Sequence, residues 1–197
     1  MKVHDSGMPE EVYWESLFDI PLILDRLGIG PELGDVAELG CGYGTFTLPV
    51  AARIRGTLTT CDIEPAMIER TRQRAAEAGH HNVRALLTDA EDGGFGVEDG
   101  SQDGCLLFNI LHGGGQVHFL REASRALRPA GRIYIIHWRP DMDTPRGPAR
   151  ETRPHLQQIL QWAEAVGGLE PVTGFIELPP WHWGMALERG HKRTGEE

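Results

Sequence analysis

The chain has 197 residues, 40% of them hydrophobic and 24% charged, with a formal net charge of −10. That is the size and composition of one globular domain, able to bury a core without disulfide or metal staples. Its acidity argues against nucleic acid as a partner, because phosphate electrostatics favour basic surfaces. Three cysteines without a CxxC pair, no apolar h-region at the start and no apolar run near 18 residues point to a cytoplasmic protein with reduced thiols, and to neither a signal peptide nor a membrane span.

Residues 10–27 read as helix with a break at Pro21, and Val12, Trp14, Leu17 and Phe18 give a rough apolar face. After the loop GIGPELGD, residues 35–39 form a short strand that runs into three glycines. Residues 45–54 look helical, and Pro49 must fall in the first turn or kink the helix. The β-branched run 56–63 is a strand ending at Asp62. A helix follows, with Pro65 suited to its first turn and Gly79 to the position past its end. Residues 82–90 read as a third strand that ends in acid at Asp89. GGFGVEDGS is turn-rich, 103–111 is a buried strand, 116–128 a helix, and 131–138 a strong strand. The Pro- and Arg-rich stretch 139–154 is too long for idle filler. A helix over 155–167 and two strands near 170–178 and 182–188 complete the order, before a polar tail over 191–197. Strands alternating with helices imply a mostly parallel α/β sheet covered on both faces, with the last pair forming a hairpin that adds an antiparallel strand. A single domain over 1–197 is expected: a helical lid segment over 1–32, a core over 33–190, and the tail.

In such a sheet ligands bind outside the carboxyl ends of the strands. Those ends carry Glu38 before Gly40, then Asp62, Asp89, Asn109, and His137 with Trp138. AELGCGYGTF places Gly40, Gly42 and Gly44 between a strand and a helix, where backbone N–H groups favour a negative group. A carboxylate at the end of the second strand suits a ribose diol, and Asp89 suits an exocyclic amine such as that of adenine. An adenosine ligand fits. A nicotinamide dinucleotide wants G-x-G-x-x-G/A, which needs Gly or Ala at 45, and this chain has Thr45. Glu38 would repel a pyrophosphate yet balance an ammonium or sulfonium, which points to S-adenosylmethionine.

On these residues the sequence resembles the class I S-adenosylmethionine-dependent methyltransferases of the small-molecule, type 11 kind. AELGCGYG is similar to that family's first motif, CDIEPAMIERTRQRA to its acidic second region and LLTDAED to its third. DGCLLFNILH and LRPAGRIYIIHW resemble its fourth and fifth strand regions. The resemblance implies a Rossmann-like, doubly wound, seven-stranded sheet. It implies S-adenosyl-L-methionine as cofactor, S-adenosyl-L-homocysteine as product, and in-line methyl transfer to a small-molecule acceptor. The cofactor set it implies is Glu38, Gly40, Gly42 and Gly44 on the methionine side, Asp62 on the ribose hydroxyls, Asp89 with Ala90 by the adenine amine, Asn109 by the amino group or acceptor, and Cys41, Ile63 and Met67 elsewhere in the cofactor site.

Other residues keep two readings. His112 is a candidate general base or a loop histidine that shapes the pocket. His137 and Trp138 should face the acceptor. Arg146, in a loop with Arg139, Arg150 and Arg153, could hold an anionic acceptor or pair with nearby acids. Trp14, with Met8 and Tyr13, could close over the site or pack on a sheet edge. Trp181, His182 and Trp183 read as hairpin packing. No metal site is expected, since the cysteine spacing matches no zinc pattern. A non-catalytic cofactor-binding regulatory subunit is the alternative, and a nicotinamide-dependent oxidoreductase a further one. Monomer and homodimer are both compatible with the sequence.

Overall fold

A computed structural model describes residues 8–190; the tail over 191–197 and the first seven residues of the lid segment lie outside the described residues. The N-terminal helix is two pieces, α1 (Glu11–Glu15) and α2 (Ile20–Leu27). The break falls before Pro21, not at it. Asp19 caps α2 by accepting from the Leu22 amide at 3.2 Å, and Pro21 sits in the first turn, where its missing N–H costs nothing.

Strands β1 (Val36–Leu39), β2 (Leu58–Asp62), β3 (Val83–Leu87), β4 (Gln102–Phe108) and β5 (Leu127–Trp138) are parallel and ordered β3-β2-β1-β4-β5. Strand β8 (His182–Arg189) runs antiparallel against β5, pairing Ile135 with Met185 and Trp138 with His182. Among the described residues the sheet has eight strands rather than seven. The expected strand over 170–178 is interrupted into β6 (Leu169–Pro171) and β7 (Ile176–Leu178), both paired with β8. Between them the chain bulges: Thr173 Oγ1 accepts from the Ala186 amide at 2.7 Å, so a side chain replaces the ladder carbonyl.

Helices α3 (Thr47–Ala51), α4 (Pro65–Glu77), α5 (Ala90–Gly93), α6 (Gln116–Ala126) and α7 (Leu156–Val166) fill the crossovers. Pro65 is the first residue of α4, and Gly79 follows its end with φ +70°, as the sequence indicates. The third strand stops at Leu87, short of Asp89; the turn-rich stretch after it holds α5, capped by Asp89 itself.

Alternation along the central strands divides the core. Cys105, Leu107, Ile133 and Ile135 pack with Leu120 and Ala123 of α6 and Ile159 of α7. Leu106, Phe108, Tyr134, Ile136 and Trp138 pack on the other face with Ile23, Leu24 and Val50. Each fully buried side chain of this size stabilises the fold by about 1.5–3 kcal/mol. These two layers hold the strands rigidly, so the loops at their carboxyl ends are fixed in space.

Candidate active site

The strand-to-helix loop after β1 forms because β1 must end at a sheet interior and turn sharply. Gly40, Gly42 and Gly44 all lie at positive φ (+78°, +50° and +79°), where a side chain is strained. The Gly40 amide donates to the Cys61 carbonyl at 2.8 Å, and the Gly44 amide to the Cys41 carbonyl at 2.8 Å. The three are not equivalent. A Cβ on Gly44 would stand 2.7 Å from Leu48 Cδ1 and 3.2 Å from Thr71 Oγ1, whereas one on Gly42 would meet only the Met8 methyl, at 3.2 Å. Gly44 therefore serves packing beneath the loop.

A cavity of about 670 Å³ opens over this loop, within the usual range of small-molecule sites. Of the eleven residues expected to hold the cofactor, Gly44 does not reach it; Glu38, Gly40, Cys41, Gly42, Asp62, Ile63, Met67, Asp89, Ala90 and Asn109 all line it. One half is built on β1, β2 and β3, and the other on β4 and β5. The boundary between β1 and β4 is where the strand order reverses, the usual place for a ligand.

Asp62 is held ready. Its Oδ2 accepts from the Gly42 amide at 3.1 Å and from the Cys41 thiol at 3.8 Å, and its Oδ1 from the Glu64 amide at 3.0 Å, which leaves Oδ1 a lone pair for a ligand and Oδ2 only a weak thiol donor to displace. Burial raises its carboxyl above the ordinary range, against the pull of those two amides. Asp89 accepts from the Glu91 amide at 3.0 Å, and a ring nitrogen of His118 lies 3.1 Å from the Ala90 carbonyl oxygen, so α6 braces the turn that presents both residues.

Glu38 is 3% exposed, and Thr47 Oγ1 donates to its Oε2 at 2.6 Å. Burial pushes its carboxyl up to about 7, with Thr47 working against the shift and the Asp62 charge adding to it. Its neutral form is therefore far more favoured than that of an ordinary exposed carboxyl. Cys41 lines the cavity and also packs on Ile68 and Ala85. Burial raises the thiols of Cys41 and Cys61, the latter to about 12, so both stay protonated. Among the described residues no group of three or more potential ligands could hold a metal ion.

Asn109 follows β4 with φ +57°, a strained conformation for a residue with a side chain. Both polar atoms of its amide are buried without a partner. An unpaired buried amide costs about 1–3 kcal/mol, so its presence on a cavity wall points to a polar ligand group. The buried Thr45 hydroxyl also lacks a partner and lines the cavity. The sequence marked Thr45 only as a departure from a dinucleotide pattern, and missed it as a site residue.

On the acceptor half, Trp14, Phe46, Phe108, Trp138, His112 and Arg146 line the cavity. Phe46 and Phe108 were not anticipated; their signal is an apolar residue just before or after a ligand-bearing strand end. His137 does not face the acceptor as expected. It is fully buried, because strand alternation places it with Ile133 and Ile135 on the α6–α7 side while Trp138 points to the cleft. Arg139 pairs with Asp141 and Glu177. Arg153 is buried and donates to the carbonyls of Pro148, Arg139 and Met142, which folds the 139–148 loop over the cleft. Of the four arginines, Arg146 alone is at the cavity wall. Met8 and Trp14 close the cavity from the N-terminal side, but Tyr13 is 42% exposed and away from it.

An open sheet of this order, with a glycine loop and carboxylates at successive strand ends, defines a Rossmann-like nucleotide-binding fold of the methyltransferase type. Residues 36–131 match the family model described as a methyltransferase domain. Over 120 residues the chain is 32% identical to aklanonic acid methyltransferase DauC of Streptomyces sp. strain C5, covering 52% of this chain and 51% of that protein. It is 32% identical over 118 residues to nocamycin O-methyltransferase of Saccharothrix syringae, covering 56% and 40%. The chain thus matches about half of one relative's length and two-fifths of the other's. A SAM-dependent methyltransferase from Aquifex aeolicus shares the fold, with a TM-score of 0.78 at 18% identity over 91% of this chain and 94% of that one. Residues 36–131 thus resemble a methyltransferase domain, and the Aquifex aeolicus protein that shares the fold is described as dependent on S-adenosylmethionine. The residues present fit it: two oriented carboxylates, an unpartnered amide and a glycine loop that a Cβ would obstruct.

Proposed function

We propose that the chain is an enzyme that methylates a small molecule bound in the β4–β5 half of the cleft. Its cofactor half is formed by Glu38, Gly40, Cys41, Gly42, Asp62, Ile63, Met67, Asp89, Ala90 and Asn109. The observation that carries this reading is the cavity itself, which joins the oriented Asp62 and the unpartnered Asn109 amide to aromatic walls at Trp14, Phe46, Phe108 and Trp138. The cofactor supplies an electrophilic methyl group on a sulfonium. Asp62 accepts from the ribose hydroxyls and Asp89 from the adenine amine. The Asn109 amide takes up the amino-acid end, beside Glu38. Trp14 and the 139–148 loop exclude water and hold the acceptor in line, and positioning of this kind accounts for about 7–11 kcal/mol of a barrier.

A small acceptor suits a cleft of about 670 Å³ on a chain of net charge −10, which gives nucleic acid little to bind. Among the described residues no helix is long and apolar enough to cross a membrane, and the three cysteines are free and buried. We read the chain as acting in the cytoplasm, as a monomer or homodimer. One relative is named for aklanonic acid, and the other is by name a nocamycin O-methyltransferase, which favours an oxygen acceptor here. Incubation with methyl-labelled S-adenosylmethionine and a metabolite library tests it. Release of S-adenosylhomocysteine that depends on one compound, with label in that compound, is expected; cofactor binding without transfer to any compound would contradict enzymatic activity.

A further inference from the structure

Two histidines at the end of the cleft are joined so that their proton positions are determined. His137 Nδ1 lies 3.4 Å from the carbonyl oxygen of Trp138, and His137 Nε2 lies 3.3 Å from His112 Nδ1. A carbonyl oxygen only accepts, so the proton of His137 is on Nδ1. Burial first, then His112, holds the His137 ring down to about 3; it is neutral, and its Nε2 carries a lone pair. His112 must therefore donate from Nδ1. Burial also holds His112 below the ordinary histidine range. A neutral His112 that is protonated on Nδ1 has a bare Nε2, and this residue lines the acceptor half of the cavity.

The surrounding charges keep this state. His182 from β8 and Arg153 from the loop both disfavour a proton on His137. Arg146 on the cleft wall has the same sign, while Asp62, Asp89 and Glu91 stand on the cofactor half.

We propose that His112 is the general base for a hydroxyl acceptor, a flat phenol or enol, and that His137 is the positioning residue that keeps His112 Nε2 free of a proton. The proposal rests on the methyl-transfer reading above. The oxygen–carbon bond forms as the sulfur–carbon bond breaks, and the electron pair of the broken bond stays on sulfur. The hydroxyl proton passes to His112 Nε2 and from there to water. Trp14, Phe46, Phe108 and Trp138 suit a flat apolar body. A carboxylic acid, already ionised at neutral pH, would have no use for the base.

The test uses the full chain with ¹⁵N-labelled histidine and bound S-adenosylhomocysteine. Long-range nitrogen–proton NMR at pH 7.5 should show His112 protonated on Nδ1, and His137→Phe should move that proton to Nε2. An Nε2 proton on wild-type His112, or no change in His137→Phe, would overturn the proposal. In the activity arm, 1-naphthol should be methylated, about 10²–10⁴-fold more slowly by His112→Gln, while His137→Phe lowers kcat at least tenfold with little change in KM. Wild-type transfer to 1-naphthoic acid but not to 1-naphthol, or to neither, counts against the hydroxyl class. His112→Gln alters a cleft-lining residue and carries the activity arm should His137→Phe not fold. Calorimetry separates the two readings: wild type that fails to bind S-adenosylhomocysteine defeats the methyltransferase site itself, whereas binding with the wrong tautomer defeats only the base.

Discussion

Replacing His182 by phenylalanine should make the protein less sensitive to acid, by an amount that the structure sets. His182 is fully buried, stacked 4.4 Å from Phe18 and tilted against Trp138 at 4.2 Å by ring centroids. Burial, and then Arg153, holds its ring down to about 3, against about 6.5 in an unfolded chain. The folded value lies below the unfolded one, so the unfolded chain binds the extra proton. The stability from this group is complete above about pH 6.5 and falls as the pH drops toward 3. Between pH 8 and pH 5 the loss is about 2 kcal/mol, since the unfolded ring is almost fully protonated at pH 5 and the folded ring is not. His137 adds a similar loss. Glu38 opposes both: its folded value of about 7 is raised, so its contribution is complete below about pH 4.5 and is lost as the pH rises through 7. The wild-type change alone therefore isolates none of them. The difference between wild type and His182→Phe does, because any repacking cost is the same at both pH values. Urea unfolding at pH 8 and pH 5, with constant m-values, should show a loss smaller by about 2 kcal/mol in the variant. An equal loss in both proteins would mean that His182 takes up its proton in the folded state, and the linkage argument would fail.

Glu38→Gln keeps an acceptor for Thr47 and removes a buried charge, so urea midpoints at pH 8 should show stabilisation by up to about 3 kcal/mol; no gain would refute the raised Glu38 carboxyl. Gly44→Ala should destabilise by about 2–4 kcal/mol, from its positive φ and the Leu48 and Thr71 contacts, and Gly42→Ala by about 1–2 kcal/mol, with thermal melts to rank them; the reverse order would contradict the packing role of Gly44. Arg74 binds Glu15 at 2.6 Å and Glu11 at 3.2 Å and donates to the Tyr43 carbonyl at 2.9 Å, which ties α1 to α4 beside the glycine loop. Each partly exposed pair contributes about 0.2–1 kcal/mol, so Arg74→Met should weaken S-adenosylhomocysteine binding less than tenfold and speed proteolysis within 9–16; unchanged proteolysis would argue against the latch.

The strand ends were legible because a buried β run followed by Gly, Asp or Asn marks where a parallel strand leaves the sheet. Asp62 and Asn109 were found in this way, and the glycine loop with them. Legibility failed where tertiary pairing overrides local pattern. Strand β5 begins at Leu127 because Gln102 offers it a partner, although Pro129 and Gly131 discourage a strand. The outer strand divides at a bulge that Thr173 closes, a contact with a residue 13 positions on. His137 was placed toward the acceptor because it ends a strand, but parity along β5 decides the matter: it follows Ile133 and Ile135. Its partnership with His112 joins positions 25 apart, which no local pattern records. Gly44 looked like its neighbours until the space around its Cα separated them. The aromatic wall of the acceptor half comes from four separate segments, so composition gave no sign of it.

The central claim is that the cleft at the ends of β1, β2 and β3 holds S-adenosylmethionine with Asp62 on the ribose. Titration calorimetry of S-adenosylhomocysteine against wild type and Asp62→Ala tests it most directly. Loss of a charge-assisted pair of hydrogen bonds, at about 1.5–3 kcal/mol each, should weaken binding by two orders of magnitude or more. Equal affinity in the two proteins would contradict the assignment of the site.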